Sequence, residues 1–493
     1  MLSIMYSLIL SLLALVAGYF FYGKVVEKIF GPEPERLTPA KSKPDGIDYV
    51  AMPAWKVYMV QFLSIAGTGP IFGAIMGAKF GPSSYLWIVF GCIFAGAVHD
   101  YMVGMLSVRN GGAGLPELVG RYLGKTAKVF MLVFSLVLLM LVGTVFVYSP
   151  ALVLGDIAGD GTTKAILIWV AVIFVYYVLA TMLPIDKVIG KIYPLFSFAL
   201  IFMAVALLAC LFAKWPSIPE VWDGLGNLGP SVGLKGQPVF PCLFITIACG
   251  ALSGFHATQS PMMARCVENE KLGRPVFYGA MVTEGIVALI WAAVSSYFFF
   301  DGGAAEVGSD LGAAAPTVVT KVSRGWLGVV GGILAVLGVV AAPVTSGDTA
   351  FRSARLIVAD SMKLPQKTIL SRLAISVPLF AVAALLLWYN VADTDGFNKI
   401  WRYFGWSNQT LAVFALWTAT VYLSDAKKGQ CYLMTMIPAC FMTGVVLSFI
   451  CVDKIGFGLP VSWNWAIGMA GMIGSMMLFY LWKVNKERNE NES

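Results

Sequence analysis

The sequence predicts an all-α polytopic membrane protein of about 13 transmembrane helices, with spans 2–6 and 7–11 forming an inverted 5+5 repeat. Three observations predict this fold: an apolar composition, a succession of long apolar runs, and two runs broken by Gly and Pro. Of 493 residues, 58% are hydrophobic and 12% are charged, whereas soluble domains have roughly 45–50% and about 25%. These values exclude a water-soluble enzyme and a disordered or fibrous chain, because too little polar surface is available.

A membrane-crossing helix needs about 20 apolar residues. The first run has no basic segment before it and no clear cleavage site, so we interpret it as a helix rather than a signal peptide. Thirteen runs meet the required length, at 4–22, 57–78, 85–106, 129–154, 165–183, 192–213, 239–261, 277–300, 326–345, 369–390, 403–423, 431–452 and 463–482.

The runs divide one membrane domain, 1–493, into four parts. Residues 1–56 supply an extra helix and a cytoplasmic loop, and 57–213 form the first repeat. Residues 239–424 form the second repeat, and 430–493 add further helices and a tail. Because each repeat has an odd number of spans, the second repeat has the opposite membrane orientation.

Lysine and arginine set the orientation. With the N-terminus outside and the C-terminus in the cytoplasm, 25 of the 34 lysines and arginines fall on the inner side, as the positive-inside rule requires. This distribution explains the net charge of +7 without a nucleic-acid partner, and it leaves membrane lipids as the expected surroundings. The sequence does not indicate an oligomeric state.

Metal-site patterns are absent from the sequence. The eight cysteines contain no CxxC pair and there are only two histidines, so we predict no metal site, no disulfide framework and no cofactor.

Two spans are interrupted at mid-membrane. Span 2 contains Gly67, Gly69 and Pro70, and span 7 contains the polar segment 248–261. Unwound backbone at this depth survives only where it lines a cavity or meets protein. Packing glycines are the alternative at either site, but the matched positions in the two halves favour a transporter binding site.

Free N–H groups at half-helix N-termini suit a carboxylate, and nearby hydroxyls and amides suit a small polar solute. Asn408 and Gln409 head span 11 and also fit bonds between helices. The candidate substrate-binding residues are Gly67, Thr68, Gly69, Ser253, Gly254, His256, Thr258, Gln259, Ser260, Asn408 and Gln409.

Asp100 in span 3 and Glu284 in span 8 share a depth in the inner third of the membrane. Intramembrane carboxylates are costly and usually functional, so we expect both to take part in ion coupling. A structural salt bridge is the alternative. His99 is expected to face away from Asp100, so no His–Asp pair is predicted between them.

The end of span 9 supplies Thr345, Ser346 and Asp348, whose oxygens suit Na⁺ or a proton. Helix capping and an Asp348–Arg352 pair at i,i+4 spacing are equally compatible with this pattern. Lys191 at the start of span 6 is a further candidate for ion coupling, with membrane anchoring as the better-supported alternative.

Several segments together resemble the carbon starvation protein A (CstA) family of bacterial inner-membrane transporters. They extend from span 2 to span 11, so the resemblance covers most of the chain. These segments are 65–73, 95–102, 190–196, 249–256, the Asp348-Thr-x-x-Arg-x-x-Arg355 pattern and 404–412.

The resemblance implies a LeuT-like core of the amino acid–polyamine–organocation superfamily and ion-driven uptake of short peptides or pyruvate during carbon starvation. It implies that segments 67–70 and 253–260 hold substrate and that Thr345 and Ser346 belong to the ion-site helix. The chain is shorter than the longest members, and Ala-Thr-Gln-Ser-Pro follows His256 where those members have a Ser/Gly/Thr-rich stretch.

We therefore expect a secondary active transporter, not an enzyme, for a small carboxylate-bearing nutrient. The intramembrane carboxylates slightly favour H⁺ over Na⁺ as the coupling ion. A channel, a membrane-embedded substrate sensor, and a carrier for another small organic acid or amino acid are the alternatives. Two unlike broken helices in one chain favour a carrier over a channel.

Overall fold

The computed structural model describes residues 5–158, 162–182, 189–366, 368–393, 396–426 and 429–492, and these residues form helices and loops without strands. Within these ranges, nine helices are long and apolar enough to cross a membrane, or ten if one bent pair counts as a span. The nine are Tyr6–Phe30, Ser83–Arg109, Lys125–Asp156, Thr163–Met182, Tyr193–Lys214, Glu270–Phe300, Ile369–Ala392, Gly429–Val452 and Val461–Glu490.

Spans 2, 7, 9 and 11 account for the difference from thirteen. Span 2 is the bent pair, Ala54–Ala66 and Gly69–Ala78, with a bend of 52°. Span 7 is divided into two short helices, Val239–Thr246 and His256–Ala264. Spans 9 and 11 lie within the helices Ala315–Met362 and Gly396–Asp425, which the count does not include.

Shorter helical segments connect or interrupt the spans. Arg274–Gly279, Trp87–Gly96 and Gly69–Gly73 are π-helical, and such turns frequently mark functional sites. The short α-helices are Pro39–Ser42, Leu115–Leu123 and Gly303–Glu306, and the 3₁₀ turns are Val221–Asp223, Gly229–Val232, Glu270–Leu272, Gly429–Tyr432 and Val461–Trp463.

The break in span 2 follows from its Gly and Pro. Gly67 has φ +30° and ψ −148°, a conformation that L-residues with side chains rarely adopt, and Pro70 has no N–H to continue the helix. The Gly67 N–H instead donates to the Ser346 hydroxyl at 3.1 Å. The helix that contains span 9 therefore supplies the acceptor for a backbone N–H that has no acceptor within the broken helix.

Burial separates a central group of helices from a peripheral one. The most apolar stretches of Ser83–Arg109 and Glu270–Phe300 are 83% and 89% buried, whereas those of Thr163–Met182 and Val461–Glu490 are 22% and 11% buried. The peripheral helices present large apolar side chains such as Leu179, Leu370 and Trp388 at the surface, as lipid contact requires. Spans 3 and 8 consequently line the interior, where spans 2 and 7 are broken.

Candidate functional site

The two broken helices meet in the middle of the bundle. A side chain at Gly69 would collide with Cβ and Sγ of Cys249. A Cβ at the next residue, Gly250, would lie 3.8 Å from the Cα of Pro70 in span 2 and 2.4 Å from the Cβ of Ala288 in span 8. The two broken helices approach this closely because position 69 is glycine, and glycine at position 250 lets span 8 approach the same point. The structure thus brings together the two segments that the sequence singles out.

Asn408 and Gln409 support the break in span 7. Asn408 Oδ1 accepts the Phe255 N–H at 2.5 Å and the Ser253 hydroxyl at 3.1 Å. Gln409 Nε2 donates to the Leu252 carbonyl at 2.9 Å and to the Phe244 carbonyl at 3.0 Å. These are the bonds between helices that the sequence offers as an alternative to substrate contact, and they satisfy backbone groups that unwinding releases.

A line of polar side chains connects spans 2 and 7. Gln61 Nε2 donates to the Ser260 hydroxyl at 3.1 Å, and Gln259 Nε2 donates to Thr258 Oγ1 at 2.8 Å. Among the described residues, Thr68 Oγ1 and Gln259 Oε1 are buried and have no hydrogen-bond partner, so they remain available to a solute.

Gln61 is a site residue that the sequence analysis does not identify, and Ser64 is another. Both are fully buried in Ala54–Ala66, and Ser64 Oγ also has no hydrogen-bond partner among the described residues. Their spacing of three residues places Gln61 and Ser64 on one face of the helix that leads to the break. That spacing is the signal that would have identified them.

Asp100, His256 and Glu284 form one buried cluster. His256 Nδ1 lies 2.8 Å from Asp100 Oδ2, and His256 Nε2 lies 3.3 Å from Glu284 Oε2. The expectation that His99 faces away from Asp100 is wrong, because His99 Nδ1 lies 2.7 Å from Asp100 Oδ1. Both side chains rotate toward each other around the helix, so adjacent positions still make contact.

Cys249 joins this cluster. Its Sγ atom, a ring nitrogen of His256 and a carboxylate oxygen of Glu284 lie within 4.8 Å of one another, and all three residues are buried. The sequence gives no sign of this grouping, because the residues come from spans 7 and 8 and no short-range spacing relates Glu284 to Cys249.

The candidates at the end of span 9 lie against span 2 and the helix Ile189–Lys214. Ser346 Oγ donates to the Leu63 carbonyl at 2.9 Å, while Thr345 Oγ1 donates to the Ala341 carbonyl of its own helix at 2.8 Å. The Tyr193 hydroxyl lies 2.6 Å from the Thr345 carbonyl and 3.1 Å from Asp348 Oδ2. Asp348 is fully buried, and its Oδ1 has no hydrogen-bond partner among the described residues.

The i,i+4 alternative expects an ion pair between Asp348 and Arg352. The Arg352 guanidinium instead contacts groups on other segments. Arg352 Nη2 donates to the Ala180 carbonyl at 2.8 Å, and Nη1 lies 3.5 Å from Asp48 Oδ1. The side chain of Lys191, the remaining candidate, lies outside the described residues.

Asp48, Arg352 and Arg355 form an ion-pair group, here called the Asp48 cluster, beside the start of span 2. Arg355 Nη2 lies 3.3 Å from Asp48 Oδ1, and all three side chains are buried. Burial acts to raise the pKa of the Asp48 carboxyl, but the guanidinium groups of Arg355, Arg352 and Arg265 together hold that pKa below its usual value. The cluster covers this end of the central helices.

A vestibule opens at the opposite end of span 2. Its volume is about 890 Å³, and it extends from the surface to Phe72 just beyond the break in span 2. Arg402 pairs with Asp453, and Lys399 Nζ lies 2.6 Å from Asp393 Oδ2. The charged residues of its lining are Lys399, Arg402, Lys454 and Asp453, so positive charge predominates there.

Relatives of known name support the interpretation as a transporter. The chain is 26% identical to "Peptide transporter CstA" of Campylobacter jejuni over 89% of this chain and 79% of that protein. It is 29% identical to "Pyruvate/proton symporter BtsT" of Escherichia coli over 57% of this chain and 47% of that protein. A Haemophilus influenzae protein, "Uncharacterized membrane protein", is 48% identical over 58% of this chain and 89% of its own length.

Solved structures share the fold at low sequence identity. An Eremococcus coleocola manganese transporter superposes with a TM-score of 0.57 and 12% identity over 91% of this chain and 99% of that one. A Na⁺-coupled sialic acid symporter superposes with a TM-score of 0.52 and 13% identity, over 94% of this chain and 97% of the symporter chain. The chain is therefore a multi-pass helical membrane protein with the fold of known transporters.

The family follows from a match along nearly the whole chain. The family model described as "Carbon starvation protein CstA" matches residues 3–168, 157–327 and 311–448, which include both broken helices, the buried cluster and Asp348. The chain therefore belongs to the carbon starvation protein CstA family.

Proposed function

We propose that this protein is a secondary active transporter that takes up a small carboxylate-bearing nutrient, pyruvate or a short peptide, by alternating access. The contact between the two broken helices, Gly69 against Cys249 and Gly250 against Pro70, carries the proposal. Broken helices at the centre of a bundle present backbone dipoles to a solute, which is how many carriers bind substrate and ion. The relatives named as a peptide transporter and a pyruvate/proton symporter support the substrate class and a carbon-starvation role.

The finer architecture is part of the same proposal. We assign thirteen crossings, a LeuT-like inverted repeat over spans 2–6 and 7–11, and a location in the bacterial inner membrane. The excess of lysine and arginine on one side supports an outside N-terminus and a cytoplasmic C-terminus. With this orientation, the vestibule faces outward and the Asp48 cluster faces the cytoplasm.

The vestibule supports an anionic substrate. Arg402 and Lys399 are paired with Asp453 and Asp393, so Lys454 gives the lining an excess of positive charge. An excess of one sign of charge in a cleft concentrates ions of the opposite sign. A carboxylate that enters there would next reach Phe72, one turn beyond Thr68. Thr68 and Gln259, with their unpartnered oxygens, are the side chains we assign to substrate contact at the break.

We assign the coupling ion, H⁺, to Asp348. Its Oδ1 atom has no hydrogen-bond partner among the described residues, and Ser346, two residues earlier, accepts the N–H of Gly67 at the break in span 2. Protonation of Asp348 would therefore act one helical turn or less from the substrate site. Asp100 and Glu284 are also buried carboxylates, but they belong to the cluster of His256 and Cys249, so we do not assign the coupling ion to that pair.

The test is uptake into proteoliposomes that contain the purified protein. Labelled pyruvate and a labelled dipeptide are offered separately, with an imposed pH gradient or an imposed Na⁺ gradient. We expect saturable accumulation of one solute, driven by the pH gradient, and counterflow of that solute. Pore-like, non-saturable flux would indicate a channel, and binding without accumulation would indicate a sensor; either result overturns the proposal.

A further inference from the structure

We propose that Cys249, His256 and Glu284 bind one divalent transition-metal ion, such as Zn²⁺, and that Asp100 orients the histidine as a positioning residue. The proposal concerns a site within the broken core and does not depend on which solute is transported. The three groups are all buried, and their ligand atoms lie within 4.8 Å of one another.

The spacing of the ligand atoms fits a shared ion. Bonds of about 2.0–2.2 Å to nitrogen and oxygen place two ligands of a tetrahedral ion about 3.3–3.5 Å apart. His256 Nε2 and Glu284 Oε2 are separated by 3.3 Å. A longer metal–sulfur bond, about 2.3 Å, allows Cys249 Sγ to lie somewhat farther from both.

The hydrogen bonding of His256 leaves Nε2 directed at the other ligands. Asp100 Oδ2 lies 2.8 Å from His256 Nδ1, and we assign the ring proton to Nδ1, which donates a hydrogen bond to the ionised carboxylate. A neutral ring then presents the Nε2 lone pair toward the Glu284 carboxylate. Two lone pairs at 3.3 Å repel each other unless a cation lies between them. The arrangement of carboxylate, histidine and ion is the usual one in protein metal sites.

The carboxylate of Glu284 is the second buried group that a cation would stabilise. The Gly250 backbone and the His256 ring approach its carboxylate, but neither forms a hydrogen bond of normal geometry with Oε1 or Oε2. An ionised carboxylate buried without such partners is costly. A bound ion supplies the charge and the directed contacts that the described neighbours do not.

Cys249 distinguishes a metal ion from a proton. A proton shared by His256 and Glu284 would relieve their repulsion, but it would give the adjacent thiol no role. Asn408 Nδ2 donates to Cys249 Sγ at 3.9 Å, and such a donor stabilises a thiolate. A thiolate, an imidazole and a carboxylate together select borderline ions such as Zn²⁺ and disfavour Mg²⁺ and Ca²⁺.

Three protein ligands leave a fourth position on a tetrahedral ion. That position is open to water or to a solute, so the site resembles reactive metal sites more than closed structural ones.

The experiment measures metal binding by the purified full-length protein in detergent. Metal content is determined by mass spectrometry, and chelator-treated protein is titrated with Co²⁺, which gives a charge-transfer absorption band when a thiolate binds it. We expect about one Zn²⁺ or Co²⁺ per chain, as for a single mononuclear site, and a thiolate band. Cys249→Ser should abolish the band, and Glu284→Gln should weaken Co²⁺ binding at least tenfold.

Cys266→Ser is the matched control, because Cys266 is also a free, buried cysteine but lies near Asp48. It should keep both the band and the metal content. Thermal unfolding establishes that each variant is folded. Folded wild-type protein that shows no band and binds no Zn²⁺ or Co²⁺ would overturn the proposal in favour of a proton. An unchanged band in Cys249→Ser would overturn it in favour of another thiol.

Discussion

His256 Nδ1 lies 2.8 Å from Asp100 Oδ2, and this contact joins span 7 to span 3 inside the membrane. His99 Nδ1 holds the other oxygen of the same carboxylate at 2.7 Å. Asp100 is thereby fixed on both sides, and it determines which ring nitrogen of His256 faces Glu284. Asp100 therefore orients the His256 ring toward Glu284, although Asp100 is not one of the three proposed metal ligands.

Asp100→Asn should weaken Co²⁺ binding by about 10–100-fold, the usual effect of losing an outer-shell partner. The amide accepts a hydrogen bond less strongly and can also donate one, so Nε2 no longer stays free for the ion. Titration of the thiolate–Co²⁺ band measures this change. His99→Gln is the control, since it leaves the Asp100–His256 contact in place, and equal affinities in both variants would refute the role of Asp100.

Asp348→Asn should remove the response of uptake to a pH gradient, because an amide does not release a proton. Counterflow of labelled substrate should persist, since the Tyr193 hydroxyl can still donate to the amide oxygen. Both rates are measured in proteoliposomes. Asp156→Asn, at an exposed position near the end of Lys125–Asp156, is the control, and acid-driven accumulation by Asp348→Asn would contradict the assignment.

Lys454→Gln should raise KM for pyruvate while leaving the maximal rate unchanged, because it removes positive charge from the vestibule. The difference from wild type should shrink as salt is added, since exposed charges are screened over about 8–10 Å at 0.1–0.15 M ionic strength. Initial uptake rates at low and high ionic strength measure the effect. Lys483→Gln, outside the vestibule lining, should behave as wild type; an identical KM in both variants would argue against electrostatic attraction.

Asp48→Asn should destabilise the end of the bundle that holds the Asp48 cluster, because it leaves the buried guanidinium groups of Arg352 and Arg355 without their carboxylate. Removing one partner of a buried ion pair costs about 3–5 kcal/mol. Cys266 lies beneath this loop, with Sγ 3.9 Å from the Asp48 carbonyl. Alkylation of Cys266, followed by mass spectrometry, should therefore be faster in Asp48→Asn than in Asp45→Asn; equal protection would show that the cluster does not hold this end closed.

The pH dependence of the Asp48 cluster follows from the sign of the shift. The arginines hold the pKa of Asp48 below its usual value despite burial. Its contribution to stability is therefore present above the unfolded pKa of about 3.9 and is lost as the pH falls through the lower folded value. The difference in Tm between wild type and Asp48→Asn should stay constant between about pH 5 and 8; a difference that declines within this range would contradict the shift.

Gly69→Ala should abolish uptake, because the new methyl group overlaps the side chain of Cys249 and separates the two broken helices. Gly474→Ala is the control, since no atom lies within 4 Å of a Cβ at that position, and in a helix it should be neutral or slightly stabilising. Uptake and thermal unfolding are measured for both. Normal uptake by folded Gly69→Ala would show that the breaks need not touch.

Local pattern was sufficient to predict the helical class and both breaks. Apolar runs of membrane length predict helices because the bilayer leaves few other ways to satisfy the backbone. The two Gly- and Pro-containing segments predict unwinding for the same reason. The count of thirteen spans stays a prediction, since nine or ten helices among the described residues meet the length and hydropathy requirements.

The chemistry of the site depended on contacts between distant segments. Asp100 and Glu284 could be placed at one depth from their distance to the helix ends, but they are connected through His256, which lies 156 residues from Asp100 in the chain. The same applies to Asn408, whose side chain caps the break at Phe255, and to Asp48, which pairs with arginines more than 300 residues away.

The sequence by itself therefore determined that the chain crosses the membrane repeatedly and where two of its helices break, because lipid imposes local rules on length, polarity and hydrogen bonding. Only the tertiary structure decided which polar side chains share a site. Cys249, His256 and Glu284 converge because Gly250 lets span 8 pack closely against the break in span 7, and such an approach depends on packing between helices rather than on the order of residues within one.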